Sequence, residues 1–471
     1  MDLERIDPPS ICFFHYARCR EQRKPLYVAF IDLTKAFDLV SRDGLFKVLK
    51  KVGCPSGLLG IIKSFHNGMR GVIRFDGSSS QPFDIKCGVK QGCVLAPTLF
   101  GIYFAVMLQH AFKFSTEGIL LNTRTGGKLF NAARLRAKTK VRRVLIRDLL
   151  FADDAALVAH TEEDLQRLID CFSDSCDAFW MSVSLTKTQI MTQGTDIDRP
   201  TYITVKGSQL EVVHTFKYLG SNVSDGLDMG LEVNRRMALA ASVFARLIDR
   251  VWENGKLTIE TKMSVYKACV LSVLLFRSEA WTLYARQEEK LNCFHLRHLR
   301  KILGVKWNDF ITNADILQRA DMPSMLTFLR QHRLRWLGHV RRMPDGRIPK
   351  DLLYGELAEG KRAIGRPMLR FRDVCKRDMM ALDIDVSTWE ELAEDRAGWR
   401  RELQLGLGRG EEKLKQAAAD KRRKRKEKEQ MGNVQLQGPS QHVCSLCGRD
   451  CHSRIGLYSH RRKCGGNRAQ Q

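Results

Sequence analysis

The chain has 471 residues, a formal net charge of +25 at pH 7 and a sequence pI near 9.7. Apolar residues make up 44% of it, which is enough for a large buried core and excludes a wholly disordered chain. No apolar stretch approaches the ~20 residues of a membrane span, and the first residues lack the apolar run of a secretory signal. We therefore expect an intracellular protein with no membrane partner. The charge indicates a polyanionic partner, usually nucleic acid, with a merely basic surface as the alternative.

Strand-like and helix-like patterns alternate in the first part of the chain. Residues 26–33 (LYVAFIDL) are rich in apolar and β-forming residues, and Asp76-Gly77 is a turn signal. The predicted elements up to residue 112 are a buried strand over 26–33, a helix over 45–52, a hairpin built from 71–75 and 83–87, and an apolar helix over 99–112.

Two further patterns follow. Residues 149–159 (LLFADDAALVA) predict two short apolar strands around two acids, and residues 162–180 predict an amphipathic helix. Residues 230–405 have mostly helical patterns, with candidate helices over 233–252, 259–276 and 287–303. The charge-dense segment 411–430 predicts either a solvated helix or a disordered linker.

Acidic residues stand at two places where strands end. Asp32 follows a run of apolar strand residues, and Asp153 and Asp154 lie between two apolar strands. Adjacent acids at a hairpin tip repel each other unless a cation neutralises them. The pattern therefore predicts a metal site, and an ordinary aspartate-containing turn is the alternative.

Five motifs surround these acids in a fixed order. They are FIDLTKAFD (30–38), GVKQGCVLAPTLF (88–100), FADDAALVA (151–159), SLTKTQIM (184–191) and FKYLGS (216–221). On these motifs the sequence resembles the reverse transcriptases of non-LTR (LINE-type) retrotransposons, over roughly residues 20–225. The resemblance implies an α+β fold with a right-hand polymerase palm, an antiparallel sheet with packed helices, followed by a helical thumb-like region.

The resemblance also implies catalytic roles. Asp32 and Asp153 would be the main ligands of two magnesium ions, with Asp154 as the third catalytic carboxylate. The Leu33 carbonyl would add an oxygen to the site. Lys187 would donate a proton to pyrophosphate or hold the hairpin by its charge, and an exposed lysine is the alternative.

Nucleotide and primer contacts follow from the same resemblance. Phe37 would lie against the sugar 2′ position, with a core phenylalanine as the alternative, and Gln91 and Gly92 would face the incoming nucleotide. A primer grip is implied for Phe216, Lys217, Tyr218, Leu219 and Gly220. The alternative for that segment is another apolar strand ending at glycine.

A basic stretch precedes the hairpin. Nine basic side chains and no acid lie between Gly118 and Arg147, namely Arg124, Lys128, Arg134, Arg136, Lys138, Lys140, Arg142, Arg143 and Arg147. They predict a surface that follows phosphates, and a solvated charged loop is the alternative.

The front of the chain departs from the family pattern. Asp32 lies only 31 residues from the N-terminus, whereas family members have a fingers region upstream and usually an endonuclease domain. We therefore expect an N-terminally truncated copy with the fingers region largely missing.

The C-terminal cysteines have the spacing of a zinc site. Cys444-x2-Cys447-x12-His460-x3-Cys464 matches a finger in which cysteine replaces the last histidine, so we expect one zinc ion in a small ββα finger. Cys451 would pack as a small apolar group or compete as a ligand. Unpaired surface thiols with an accidental histidine are the alternative. A second group, Cys293, His295 and His298, lies in an amphipathic pattern that favours packing or surface positions.

The predicted order of domains is a palm over 1–225, a thumb or connection region over 226–405, a charged linker over 406–440 and the zinc finger over 441–466. The basic run Lys421–Lys428 predicts a nuclear localisation signal, with a solvated charge run as the alternative. The nucleus is therefore the expected site of function, and the cytoplasm is also compatible.

These observations favour an RNA-directed DNA polymerase that extends a DNA primer on an RNA template, with dNTPs as substrates. The alternative is a catalytically inactive remnant that only binds nucleic acid through its basic thumb and finger. A host zinc-finger regulator is a third possibility, which the single finger disfavours.

Overall fold

The computed structural model describes residues 8–124, 128–131, 139–194, 201–362, 365, 368–435, 442–451 and 453–464. The chain divides into two compact units, residues 1–405 and 406–471. Among the described residues, no helix is long and apolar enough to cross a membrane.

The first unit combines helices with short and long strands. Its α-helices are Pro8–Glu21, Arg42–Lys51, Ser56–His66, Ala96–Ala111, Glu162–Ala178, Met229–Arg246, Ile259–Val265, Ser272–Leu274, Ala285–Ile302, Asn313–Arg319, Met325–Arg342, Ile348–Tyr354, Phe371–Ala381 and Trp389–Glu394. Two π-helices, Ile248–Trp252 and Tyr266–Leu271, and two 3-10 helices, Ser278–Ala280 and Trp307–Asp309, join them. The strands are Leu26–Ile31, Arg70–Gly71, Arg74–Phe75, Ser78–Ser79, Phe83–Asp84, Ile119–Arg124, Val141–Ile146, Asp148–Phe151, Asp154–Ala159, Gln189–Gln193, Thr204–Val205, Ser208–Gln209, Glu211–Val212, Thr215–Tyr218, Ser221–Ser224 and Glu356–Leu357. The predicted mixed α+β class is confirmed.

A five-stranded sheet, here called the central sheet, organises the first unit. Its strands run in the order Glu211–Val212, Gln189–Gln193, Leu26–Ile31, Asp154–Ala159 and Asp148–Phe151. All neighbours are antiparallel except Glu211–Val212, which pairs in parallel with Gln189–Gln193. The strand Leu26–Ile31 has a neighbour on each side, which explains its nearly unbroken apolar sequence.

The helix Glu162–Ala178 covers part of the central sheet. Glu162–Ala178 packs on Leu26–Ile31, on Asp154–Ala159 and on the helix Ala96–Ala111. Thr161 caps its first turn by accepting a hydrogen bond from the Asp164 amide. Its apolar face is buried as predicted, at Leu165, Leu168, Ile169, Phe172 and Cys176. Burying one such large apolar side chain stabilises the fold by about 2 kcal/mol, so this face anchors the sheet.

The predicted hairpin consists of two short strand pairs. Arg70–Gly71 pairs with Phe83–Asp84, and Arg74–Phe75 pairs with Ser78–Ser79 around the turn at Asp76 and Gly77. Both turn residues have positive φ, 43° and 75°, as a tight two-residue turn requires.

The region after residue 225 is helical, as predicted. The expected helices over 233–252 and 259–276 each continue into a π-helical turn, and the third is Ala285–Ile302. The charged segment 411–430 lies within the helix Arg396–Gln435, so the helical alternative is correct. In the second unit, an isolated bridge between Val443 and Asp450 precedes the helix Arg454–Cys464.

Candidate active site and candidate metal centre

A tight hairpin presents two of the predicted carboxylates. Strands Asp148–Phe151 and Asp154–Ala159 pair up to Phe151 opposite Asp154, which leaves only Ala152 and Asp153 in the turn. Ala152 has a φ of 53°, in the left-handed region that favours glycine. The turn therefore holds Asp153 at the tip and Asp154 at the start of a strand.

Register brings Asp32 to the same edge of the central sheet. Ile31 pairs with Ala155, so the next residue in one strand, Asp32, stands across from Asp154. Its amide donates to Thr188 Oγ1 over 3.3 Å, and its carbonyl accepts from the Ser184 amide over 2.8 Å. Asp32 and Asp154 line one cavity of about 320 Å³, and Asp153 lies beside Asp154 on the turn.

The charges in this cavity favour a cation. Burial, and then the neighbouring Asp153 and Asp32 carboxylates, raise the pKa of Asp154 to about 6, while Lys187 acts in the opposite direction. Lys187 Nζ lies 3.2 Å from Asp32 Oδ2. That oxygen is buried and, among the described residues, accepts no hydrogen bond. Clustered carboxylate oxygens that repel one another are the donor set that magnesium prefers, so these residues fit a hard divalent cation.

Lys187 forms its ion pair with a carboxylate beside the hairpin, Asp32. The sequence allowed Lys187 to hold the hairpin, but its ion pair is with Asp32, on the strand beside the hairpin. The lysine is largely exposed, so the ion pair is open to solvent.

The predicted nucleotide-contacting residues lie on two loops. Phe37 is half-buried and stacks on Phe100, with ring centroids 4.4 Å apart. For the buried part of its ring, this packing agrees with the alternative that Phe37 is a core phenylalanine. Gln91 and Gly92 are exposed just before the helix Ala96–Ala111, and Gly92 has a φ of 88°. Leu33 is buried and bridges to Val183, through hydrogen bonds that use the Asp32 and Ser182 carbonyls.

Sequence reasoning missed a residue that holds this loop. Arg42 donates to the carbonyls of His66, Ile85, Cys87 and Gly88, over 2.7 to 3.2 Å. Gly88 has a φ of 81°, and a Cβ there would lie 2.6 Å from the Asp38 carbonyl oxygen. These contacts tie the segment before Gln91 to the segment after Asp32. The sequence around Arg42 carried no signal beyond a helix start.

The predicted primer grip is a hairpin against the same cavity. Strands Thr215–Tyr218 and Ser221–Ser224 pair around a turn at Leu219 and Gly220, both with positive φ. Phe216 stacks on Phe30 with centroids 4.1 Å apart, and Tyr218 packs against the same ring. The residues of Phe216–Leu219 line the cavity together with Asp32, Asp154 and Lys187.

Some side chains of the predicted basic surface have partners elsewhere in the chain. Arg147 donates to the Phe112 and Ser115 carbonyls, Arg142 pairs with Asp351, and Lys128 lies 3.5 Å from Glu391. These contacts reduce the charge available for phosphates. Arg134, Arg136 and Lys138 lie outside the described residues.

The four predicted zinc ligands come together in the second unit. One ligand atom from each of Cys444, Cys447, His460 and Cys464 lies within 4.8 Å of the others. Cys447 Sγ and His460 Nε2 are 3.0 Å apart. Cys451 is outside this group, and its thiol points to the Arg449 carbonyl at 3.6 Å. Three sulfurs and one imidazole fit a tetrahedral metal ion.

The second histidine cluster has structural partners. His295 Nδ1 is 3.1 Å from the Tyr266 hydroxyl, and His298 Nδ1 is 2.7 Å from the Phe294 carbonyl. Burial lowers the pKa of His295 to about 4. These contacts agree with the predicted packing position.

The chain is similar to one protein family and to several known proteins. Residues 2–223 match the family model described as reverse transcriptase (RNA-dependent DNA polymerase). A transposon-derived protein of Caenorhabditis elegans is 24% identical over 54% of this chain and 93% of its own length. The RNA-directed DNA polymerase from the mobile element jockey of Drosophila funebris is 29% identical over 59% of this chain and 28% of its own length. Apo telomerase from Candida tropicalis aligns at 13% identity over 75% of this chain and 57% of that chain, with a TM-score of 0.33.

The described site and the family match define a reverse transcriptase domain over residues 2–223. Several relatives from mobile elements are RNA-directed DNA polymerases, so the chain is similar to the reverse transcriptases of non-LTR retrotransposons. It spans most of the nematode relative but less than a third of the jockey polymerase.

Proposed function

We propose that this chain is an RNA-directed DNA polymerase, which adds dNTPs to a DNA primer 3′ hydroxyl on an RNA template. The cavity shared by Asp32, Asp154, Lys187 and the primer-grip hairpin is the observation that most supports this. It combines clustered carboxylates with an apolar, partly basic wall suited to the end of a strand.

The proposed roles follow from this placement. Asp32, Asp153 and Asp154 hold the cations, and the Leu33 carbonyl and Lys187 complete their surroundings. Two magnesium ions would supply the charge that activates the primer hydroxyl and stabilises the leaving pyrophosphate. Phe37, Gln91 and Gly92 contact the nucleotide, and Phe216, Lys217, Tyr218, Leu219 and Gly220 hold the primer end.

The finer architecture is part of the proposal. We assign the palm to residues 1–225, the thumb-like region to 226–405, the charged linker to 406–440 and a ββα zinc finger to 441–466. The division into compact units after residue 405 supports one of these boundaries. The clustered Cys444, Cys447, His460 and Cys464 support one zinc ion.

Primer extension tests the proposal. The purified full chain is incubated with dNTPs, magnesium and a DNA primer annealed to an RNA template. We expect extended product on RNA that disappears when EDTA replaces magnesium. Salt-sensitive nucleic-acid binding without any extension would instead support the inactive, nucleic-acid-binding alternative.

We also propose that the chain acts in the nucleus. Every residue of Lys421–Lys428 is exposed on a helix, which supports its recognition as a localisation signal. Replacing its seven basic residues with Gln in a fluorescent fusion is expected to shift the protein to the cytoplasm. An unchanged nuclear signal would contradict this.

A further inference from the structure

A second cavity, of about 550 Å³, lies in the first unit. It shares no lining residue with the candidate active-site cavity. Its walls come from the helix Pro8–Glu21, from residues 226–229, from 282–287, from the helix Ile348–Tyr354 and from 368–372. Its size is in the range of small-ligand sites, about 300 to 1,000 Å³.

Arginines dominate the polar wall of this cavity. Six of them line it: Arg18, Arg20, Arg23, Arg362, Arg370 and Arg372. Four of these lie within 4.0 Å of one carboxylate, Glu21, at N–O distances of 3.4 to 3.9 Å. Glu356 also pairs with Arg18 and Arg372, and Asp373 pairs with Arg370. Four guanidinium groups thus share three carboxylates, and Arg20 and Arg23 add further positive charge.

Some of these guanidinium groups have unused donors. Arg372 Nη1 and Arg362 Nε are buried and, within the described part of the chain, make no hydrogen bond. A buried charged donor without an acceptor destabilises the fold. Both groups belong to arginines that line the cavity.

Part of the cavity wall is apolar. Phe14, Leu352, Leu353 and Leu369 line it, and Phe14 is fixed by stacking on Trp336 at 4.9 Å. Tyr284 stands at the cavity with a side chain that is 46% exposed. An apolar wall with an exposed aromatic ring suits the flat face of a nucleobase.

We propose that this cavity binds one nucleotide unit, with its phosphate on the arginines and its base on the apolar wall. Guanidinium groups suit this role because one guanidinium can donate two parallel hydrogen bonds to one phosphate. The same chemistry is found in a free mononucleotide and in the phosphorylated end of a single strand. The proposal does not depend on catalysis at the active site.

Equilibrium binding to the full chain tests the proposal. The probes are labelled AMP and a 5′-phosphorylated single-stranded oligonucleotide, both in EDTA. Two variants address the two walls: Arg20→Gln with Arg23→Gln removes charge, and Ala17→Trp fills the cavity without altering a charge. Arg319→Gln, at an exposed helical arginine outside the cavity, is the matched control.

Saturable binding is expected, weakened about tenfold or more by each cavity variant and unchanged in the control. AMP binding at least as tight as strand binding identifies a free nucleotide, and tighter, Ala17→Trp-sensitive strand binding identifies a strand end. No saturable binding of either probe, or equal binding by all variants, overturns the proposal and leaves the arginines as an ion-pair network around Glu21. Circular dichroism confirms that each variant is folded.

Discussion

At the scale of single residues, the candidate site combines backbone strain with charge repulsion. Ala152 occupies a left-handed conformation at the tip of the carboxylate hairpin, and Asp154 follows two residues later in a cluster of like charges. A site at these acids could be predicted from the sequence because they interrupt an apolar run. The strain at Ala152 could not, because Phe-Ala-Asp-Asp contains no glycine to indicate a turn with positive φ.

Relief of that strain is the first prediction. Ala152→Gly is expected to leave the chain unchanged or to stabilise it by about 0.5 kcal/mol, because glycine adopts positive φ without a Cβ clash. Urea unfolding measures this. Ala156→Gly, at a buried strand position with ordinary backbone, is the control and should lose about 1 kcal/mol. A loss of more than about 1 kcal/mol in Ala152→Gly would show that the alanine is not strained.

The raised pKa of Asp154 leads to the second prediction. Its pKa is about 6 in the metal-free fold, above the ordinary 3.8. The folded state therefore holds this proton more tightly than the unfolded state, and ionised Asp154 destabilises the fold as pH rises from about 4 to above 6. In EDTA, Asp154→Asn should raise the melting temperature at pH 7.5 and should have little effect at pH 4.

The exposed helical residue Asp174 provides the control, because Asp174→Asn should leave the melting temperature at pH 7.5 nearly unchanged. Equal melting temperatures for Asp154→Asn and the unaltered chain at pH 7.5 would contradict the raised pKa.

At the scale of elements, hydrophobic pattern predicted most of the fold around the site. The strand 26–31, the hairpin 148–159 and the helix 162–178 follow from apolar runs and helical spacing, because one face or both faces of each are buried. The π-helical turn Tyr266–Leu271 and the Lys187–Asp32 ion pair could not be predicted. The ion pair joins residues that are far apart in the sequence.

Two arginines of the helix Met229–Arg246 contact the turn of the primer-grip hairpin, and one of them, Arg235, donates to the Gly220 carbonyl over 3.0 Å. Arg236 donates to the Gly220 carbonyl, lies over the Phe276 ring at 4.4 Å and pairs with Glu232 at 2.6 Å. Arg236 and Glu232 are both buried. The helix Met229–Arg246 thereby holds the turn at Gly220.

A double-mutant cycle on this pair is the third prediction. Arg236→Met should destabilise the fold by about 3 kcal/mol, because it weakens the pairing of a buried carboxylate. Adding Glu232→Met should recover part of the loss. Urea unfolding of the four chains gives the coupling energy. Additive losses would mean that the two side chains are not energetically linked.

At the scale of the whole molecule, the cavity lined by arginines and the metal centre lie in different compact units, so they can be tested separately. The cavity lined by arginines could not be predicted from the sequence, since its walls come from positions as far apart as Phe14 and Arg372. The metal centre, by contrast, could be predicted from spacing alone because its ligands lie within 21 residues of one another.

The metal centre provides the fourth prediction. The purified chain should contain one zinc ion by mass spectrometry, and Cys444→Ser should lose it because three ligands bind zinc weakly. Cys451→Ser is the matched control and should keep zinc, since Cys451 lies outside the cluster. Loss of zinc in both variants would assign Cys451 as a ligand.

The central claim is that Asp32, Asp153 and Asp154 perform nucleotidyl transfer. The most direct measurement is RNA-templated primer extension by the full chain, compared with Asp153→Asn and with the surface control Asp174→Asn. Asp153→Asn is expected to lose about three orders of magnitude in rate, while Asp174→Asn keeps full activity. Equal incorporation by the unaltered chain and Asp153→Asn, at any level, would contradict it.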